Sequence, residues 1–102
     1  MRLRRDLDAP RPLDGEVVLR VRSVGICDTD MQLARGYMGF RGVLGHEFVG
    51  SDDGGRRYVA EINNACHRCD TCRAGRPTHC PHRTVLGIVA HDGAMADAVA
   101  VP

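Results

Sequence analysis

The sequence contains little of what builds a large apolar core. It has no tryptophan and only two phenylalanines and two tyrosines, but twelve glycines among its 102 residues. A chain of this size forms one small domain that buries a limited share of its surface, so we expect an additional stabilising element such as a bound metal ion. Because aromatic side chains are scarce, the residue types that bind metals are candidates for stabilising the fold.

A strong net charge and long apolar runs are also missing. The formal net charge is +1 at pH 7, which argues against overall attraction to nucleic acid or to an acidic membrane. No stretch approaches the roughly 18 apolar residues of a membrane-spanning helix, and the opening MRLRRDLDAP lacks the apolar segment of a secretory signal. We expect a cytoplasmic protein with reduced thiols, no membrane partner and no nucleic-acid partner.

Four of the five cysteines stand in one compact run, at Cys66, Cys69, Cys72 and Cys80. The spacing C-x2-C-x2-C-x7-C lets four thiolates surround one tetrahedral zinc ion, and the odd cysteine count favours metal binding over disulfides. We predict a zinc loop over about residues 63–83, called the cysteine loop below. An iron–sulfur cluster is the alternative, because Cys80-Pro81 ends the run as in bacterial ferredoxins, although the last gap there is three residues rather than seven. Cys27 stands alone far upstream and must have a separate role.

Apolar and polar residues alternate along several segments, which predicts a β-rich fold. Residues 16–26 predict a half-buried strand, and residues 57–62 alternate in the same way. Residues 43–50 predict a buried strand that Gly45 interrupts with a bulge or a close backbone approach. Residues 51–55, SDDGG, predict a turn between the second and third of these strands.

Turn-forming residues and caps separate these segments. Asp28 or Thr29 is predicted to cap a short helical turn that ends near Gly36. The cysteine loop is too rich in polar and turn-forming residues for regular structure. Residues 91–93 predict a hairpin-like turn between the last two apolar segments.

The remaining charged residues near the cysteine loop are interpreted as surface groups. His79, His82 and His91 lie beside the loop or in a turn, and we expect them to be exposed. Four arginines make the loop locally basic, which is also typical of nucleic-acid-binding modules. The loop has no aromatic side chain on which a base could stack, so we expect a solvated basic face instead.

Four segments occur in an order and spacing that resembles the medium-chain dehydrogenase family. They are GICDTD at 25–30, GHEFVG at 45–50, the cysteine loop, and DGAMADAVAVP at 92–102. More specifically, the chain is similar to the GroES-like catalytic domain of zinc-dependent alcohol dehydrogenases. The resemblance covers almost the whole chain and implies a mainly β fold, a partly open β-barrel with short helices and a structural-zinc loop. We therefore expect residues 1–102 to form one such domain.

The resemblance also implies a second, catalytic zinc site. Cys27 and His46 match two of the family's zinc ligands, and the third family ligand comes from sequence beyond this chain. Thr29 matches the residue that relays the proton from the alcohol. Asp30 matches the residue that orients the zinc-bound histidine, and Glu47 a carboxylate beside the metal. A catalytic zinc needs an open position for a substrate oxygen, whereas four cysteines close their site and make it structural.

The cofactor-binding part of such enzymes has no counterpart in the sequence. The family transfers hydride between an alcohol carbon and NAD(P), which is held by a separate Rossmann domain whose G-x-G-x-x-G turn is absent here. We expect the chain to bind zinc, but not to oxidise a small alcohol or reduce a carbonyl by itself. It begins too late to include all of the family's first strand, so we expect an incomplete domain. Its unpaired strand edges would favour self-association or a partner that supplies the cofactor domain.

One residue of the cysteine loop departs from the family pattern, and a function of another class is the alternative to an oxidoreductase. His67 replaces the glycine commonly found after the first cysteine of the family's zinc loop. The alternative to an oxidoreductase domain is a stand-alone zinc-stapled interaction module derived from it, which would pair through its strand edges.

Overall fold

The longest strand of the protein runs through the middle of its main sheet. The computed structural model describes residues 1–102. Its strands and helices are β1 (Val17–Gly25), α1 (Asp28–Ala34), β2 (Glu47–Ser51), β3 (Arg57–Tyr58), β4 (Asn63–Asn64), α2 (Asp70–Arg73), β5 (Thr84–Val85) and β6 (Ala98–Val101). The fold is mainly β with short helices, as the sequence predicts. None of its helices has the length and hydropathy that crossing a membrane requires.

The strands form two open sheets. The main sheet has the order β3-β2-β1-β6, and β4 pairs with β5 in a second, two-stranded sheet. β1 pairs antiparallel with both β2 and β6, and its register towards β2 shifts between Val21 and Ser23, where an irregularity bends the strand. The main sheet therefore keeps β3 and β6 as unpaired edges.

The core is small and lies between the main sheet and the segment that follows β5. Only 17 of the 102 residues are buried, which agrees with the scarcity of large apolar side chains. The core cluster comprises Leu19, Phe48, Leu86, Ala94, Val99 and Val101. Burying each of the larger side chains contributes about 1.5–3 kcal/mol, so a few residues account for most of the apolar stabilisation.

Two expectations about helices are wrong in detail. The residue that begins α1 as its N-cap is Cys27, rather than Asp28 or Thr29. The reason is that the Asp30 carboxylate reaches back and accepts a hydrogen bond from the Cys27 amide at 2.9 Å. The cysteine loop also contains regular structure, because Cys69 caps α2 by accepting from the Cys72 amide.

Three expectations about strands are corrected as well. β2 begins at Glu47, because Gly45 has a positive φ of 106° and breaks the extended backbone that residues 43–50 would need. The third predicted strand shrinks to Arg57–Tyr58. The turn at 91–93 does not close a hairpin, because β5 pairs with β4 and β6 with β1, while the intervening segment packs against residues 43–45.

Candidate metal centres

The four sulfurs of the cysteine loop lie close together. Cys80 Sγ is 3.6 Å from Cys66 Sγ and 3.8 Å from Cys69 Sγ, and Cys66 Sγ is 4.0 Å from Cys72 Sγ. All four atoms lie within 4.8 Å of one another. Zinc–sulfur bonds of about 2.3 Å in a tetrahedron place the sulfurs about 3.8 Å apart. The structure therefore brings together a donor set of the right chemistry and spacing for one zinc ion.

Short backbone segments aim these sulfurs at a common point. Cys69 stands at the N-cap of α2 and Cys72 within it, so one helical turn carries two of the donors. The Arg68 amide donates to Cys66 Sγ, and the Cys72 amide donates to Cys69 Sγ, each at 3.5 Å. Such N–H···S contacts orient the thiolates and spread their negative charge.

The thiols differ in how readily they lose a proton. The hydrogen bond from the Arg68 amide lowers the pKa of Cys66 to about 6. Burial, together with the hydrogen bonds to the neighbouring thiols, raises the pKa of Cys72 to about 12. The backbone amide of Cys66 lowers the pKa of Cys80. One thiolate thus forms easily, while full deprotonation of the cluster requires a cation among the sulfurs.

His67 occupies a backbone conformation that favours glycine. Its φ is +59°, in the left-handed region. A non-glycine residue there costs roughly 1–2 kcal/mol, because its Cβ crowds the neighbouring carbonyl oxygen. This explains why a glycine suits the position after the first cysteine of such a loop.

A second group of possible ligands lies at the start of α1 and β2. One donor atom each from Cys27, His46 and Glu47 lies within 4.8 Å of the others. Glu47 pairs with Gly25 across β2 and β1, and a Cβ at Gly25 would lie only 3.2 Å from Glu47 Oε2. The missing side chain at Gly25 therefore leaves space for the carboxylate beside the thiol.

A buried carboxylate stands behind the imidazole of this group. Asp30 and His46 are 2% and 8% exposed, and Asp30 Oδ1 lies 3.4 Å from His46 Nδ1. Neither atom has a hydrogen-bond partner. A proton on Nδ1 would face Asp30 and leave the lone pair of Nε2 for a metal ion, so these residues fit a zinc site.

The structure thus groups the predicted site residues into two clusters. Cys27, His46 and Glu47 converge, Asp30 contacts His46, and Thr29 lies half-buried in the first turn of α1. Their roles as ligands, orienting group and proton relay remain predictions, as does the role of the four cysteines.

One polar pair outside these clusters was not predicted from the sequence. His79 and His82 are exposed as predicted, but His91 is not a surface residue, because its side chain is only 13% exposed. His91 Nε2 lies 2.9 Å from Glu16 Oε2. The two residues are 75 positions apart, and no local spacing connects them, so only the folded chain reveals the pair.

Comparison with known proteins identifies the family. The model of the alcohol dehydrogenase GroES-like domain matches residues 13–102. The chain therefore belongs to this domain family, part of the zinc-type alcohol dehydrogenases in the medium-chain dehydrogenase family. It is 32% identical to L-galactonate-5-dehydrogenase of Escherichia coli strain K12, over 93% of the chain and 32% of that enzyme. It is 37% identical to L-threonine 3-dehydrogenase of Streptomyces coelicolor, over 93% of the chain and 33% of that enzyme.

Solved structures show the same relationship. The alcohol dehydrogenase rspB of E. coli CFT073, in complex with NADH, superposes with a TM-score of 0.83 and 33% identity, over 94% of this chain and 31% of that one. Alcohol dehydrogenase TADH of Thermus sp. ATN1 gives a TM-score of 0.82 at 30% identity, over 96% and 33%. The chain spans about a third of the length of these relatives. The alternative of a stand-alone interaction module receives no support from them.

Proposed function

We propose that this chain is the metal-binding GroES-like domain of a zinc-dependent, NAD(P)-linked oxidoreductase that oxidises a hydroxyl group or reduces a carbonyl group. The observation that carries the proposal is the cluster of Cys27, His46 and Glu47 with the Asp30 carboxylate behind the imidazole. The names of two relatives refer to L-galactonate and L-threonine, both small hydroxylated acids. A small, polar, hydroxylated substrate is therefore the class we propose.

Each residue of the cluster has a distinct task in this proposal. Cys27 and His46 would hold the ion, with Glu47 as a further donor, and a zinc ion bound there would lower the pKa of a substrate hydroxyl group. Asp30 keeps a proton on His46 Nδ1 and so fixes the ring. The Thr29 hydroxyl accepts the substrate's hydroxyl proton and passes it on towards solvent.

The cysteine loop has a structural task. Four thiolates leave no open position on a tetrahedral zinc ion, so this site orders residues 63–83 and takes no part in the reaction. Both sheets of the chain are antiparallel and contain no strand–helix–strand unit for a dinucleotide. We expect that hydride transfer requires a cofactor domain in addition to residues 1–102.

Metal content measured by elemental analysis, with the visible spectrum, tests the proposal. We expect colourless protein with one tightly held zinc, which Cys72→Ser loses and Cys27→Ser keeps. A second, weaker metal equivalent should disappear in Cys27→Ser and persist in Cys72→Ser. Each variant serves as the matched control for the other, because both replace one thiol by a hydroxyl.

Four results would contradict the proposal. Zinc content that is insensitive to Cys72→Ser would remove the structural site, and bound iron with visible absorption would favour an iron–sulfur cluster. A second metal equivalent that persists in Cys27→Ser would remove the assigned catalytic site. Steady-state reduction of NAD(P) by residues 1–102 with an alcohol would show that no separate cofactor domain is needed.

A further inference from the structure

Every polar side-chain atom of Glu16 and His91 has a hydrogen-bond partner. His91 Nε2 lies 2.9 Å from Glu16 Oε2, and His91 Nδ1 lies 2.7 Å from the Asp92 carbonyl oxygen. A carbonyl oxygen only accepts, so Nδ1 donates there. The other Glu16 oxygen accepts from the Leu13 amide at 2.9 Å. The two side chains are 9% and 13% exposed, so this hydrogen-bonded pair differs from the solvent-exposed ion pairs that contribute little.

The segment that begins with His91 is bonded to the segment that ends before His46. The Asp92 carboxylate accepts from the Val43 amide at 2.9 Å, and the Gly93 amide donates to the Val43 carbonyl at 2.7 Å. Two further bonds, each 2.9 Å long, join Ala94 to Gly45 and Met95 to Leu44. Residues 91–95 therefore fix the backbone position from which the imidazole of His46 projects.

Glycines make this contact unusually close. A Cβ at Gly87 would lie 2.5 Å from the Gly45 carbonyl oxygen, and one at Gly93 would meet the same atom. A Cβ at Gly45 would lie 2.8 Å from the Met95 amide nitrogen. Backbone packs directly on backbone here, so residues 43–45 cannot shift unless residues 87–95 shift with them.

We propose that Glu16 and His91 are positioning residues for the candidate catalytic metal site. The pair anchors residues 91–95 to the start of β1, these residues hold residues 43–45, and the latter place His46 beside Cys27. The inference rests on the proposed function in one respect, namely that Cys27 and His46 are the ligands of that site. It adds two residues that lie outside the group of candidate ligands.

Cobalt binding to the second site tests this role without an activity assay. The cysteine loop is first filled with zinc, and Co²⁺ is then titrated while its thiolate charge-transfer and d–d bands are recorded. We expect Glu16→Ala and His91→Phe to weaken Co²⁺ binding on the order of tenfold and to shift the d–d bands, the size of effect seen when a group that orients a ligand is removed. Glu16→Gln keeps the size of the side chain and an acceptor oxygen, so its Co²⁺ affinity should be close to that of the wild type. Asp53→Ala, which removes an exposed carboxylate on the β2–β3 turn, should change nothing.

Amide hydrogen exchange provides a second readout that needs no metal at the second site. In Glu16→Ala and His91→Phe the amides of Ala94 and Met95 should exchange at least tenfold faster, while those of β6 stay protected. Retained protection of the β6 amides shows that the main sheet of a variant is folded, and if Glu16→Ala loses this protection, His91→Phe carries the comparison.

The outcomes separate this inference from the proposed function. Wild-type Co²⁺ affinity and spectrum in both variants, or unchanged exchange at Ala94 and Met95, would overturn the positioning role and leave the proposed function intact. If the wild-type chain binds no Co²⁺ through Cys27, the proposed function fails. The exchange rates at Ala94 and Met95 then decide alone whether Glu16 and His91 position this segment.

Discussion

At the scale of single residues, burial decides which polar groups can take part in chemistry. Asp30 and His46 are both buried, and each leaves one polar atom without a partner. Such an atom costs about 1–3 kcal/mol, a cost that is typical of functional sites. Glu47 is exposed, although its carboxylate lies in the same cluster, so it can reach the metal position or solvent.

Replacing His67 by glycine should stabilise the protein. The left-handed φ of +59° strains a histidine but not a glycine, so the substitution relieves backbone strain. This stabilisation is partly offset because glycine has a larger conformational entropy in the unfolded chain. We expect the free energy of unfolding of the zinc-loaded protein to rise by about 0.5–1 kcal/mol, measured by urea titration. His79→Gly is the control, because His79 is exposed in a helical turn, and it should destabilise or have no effect. A loss of stability in His67→Gly would show that the imidazole itself contributes to the loop.

At the scale of elements, the position of His46, the candidate metal ligand, depends on a contact between two irregular segments rather than on a helix or strand. Residues 43–45 and 91–95 exchange four hydrogen bonds, and Gly45, Gly87 and Gly93 allow the backbones to touch. Neither segment has a regular pattern in the sequence. Their pairing depends on β6 and β1 bringing distant parts of the chain together.

Gly93→Ala should disrupt this contact. Its methyl group would meet the Gly45 carbonyl oxygen, a backbone atom that cannot move aside, so we expect a loss of about 1–3 kcal/mol in the free energy of unfolding. Gly54→Ala is the matched control, because φ is not positive there and the nearest atom lies at 3.4 Å. It should change stability by less than about 0.5 kcal/mol. Equal effects of the two substitutions would argue against a close contact at Gly93.

The anchoring of β1 to the 91–95 segment should depend on pH. Burial raises the pKa of Glu16, but hydrogen bonds from the Leu13 amide and the His91 ring lower it by more, so the net pKa lies below its ordinary value. A carboxylate with a lowered pKa stabilises the fold above its unfolded pKa of about 4.3 and loses this contribution as the pH falls through the folded value.

The comparison of wild type with Glu16→Gln isolates this effect. We expect wild type to be more stable by about 1 kcal/mol at pH 7, with the difference shrinking below about pH 4.5. Release of metal from the cysteine loop in acid affects both proteins and cancels in the difference. A difference that stays constant from pH 7 to pH 3 would mean that the Glu16 charge does not contribute.

At the scale of the whole molecule, two different forces hold the two parts of the chain. The main sheet and residues 86–94 share the apolar core, whereas Cys80 is the one buried residue in the cysteine loop. Its strand β4 pairs with β5, which follows the loop. We infer that the loop owes its order to its metal ion rather than to burial.

Removal of the metal by a chelator should therefore unfold the cysteine loop and leave the main sheet folded. The amides of Arg73 and Ala74, which are bonded within α2, should exchange at least tenfold faster, while those of Phe48 and Val99 keep most of their protection. Hydrogen exchange followed by mass spectrometry distinguishes the two regions. Uniform loss of protection across the chain would show that the loop and the sheet unfold together.

Local patterns in the sequence predicted the longest strand and both clusters of candidate metal ligands. The alternation in residues 16–26 predicted β1, and the cysteine spacing predicted a four-sulfur cluster, because both depend on neighbours within one strand or one loop. The matched motifs also placed Cys27, His46 and Glu47 in one group. The caps of α1 and α2 were missed, since Cys27 and Cys69 are unusual cap residues and act through geometry that spacing does not show.

Only the tertiary structure decided the contacts between distant segments. The partner of β6 is β1 rather than β5, and His91 is half-buried against Glu16 rather than exposed in a hairpin turn. Sequence alone determined which residues can hold a metal ion, because ligand chemistry and short spacing are local properties. The position of His46 depends on backbone contacts between residues 43–45 and 91–95, whose closeness results from packing across the whole sheet.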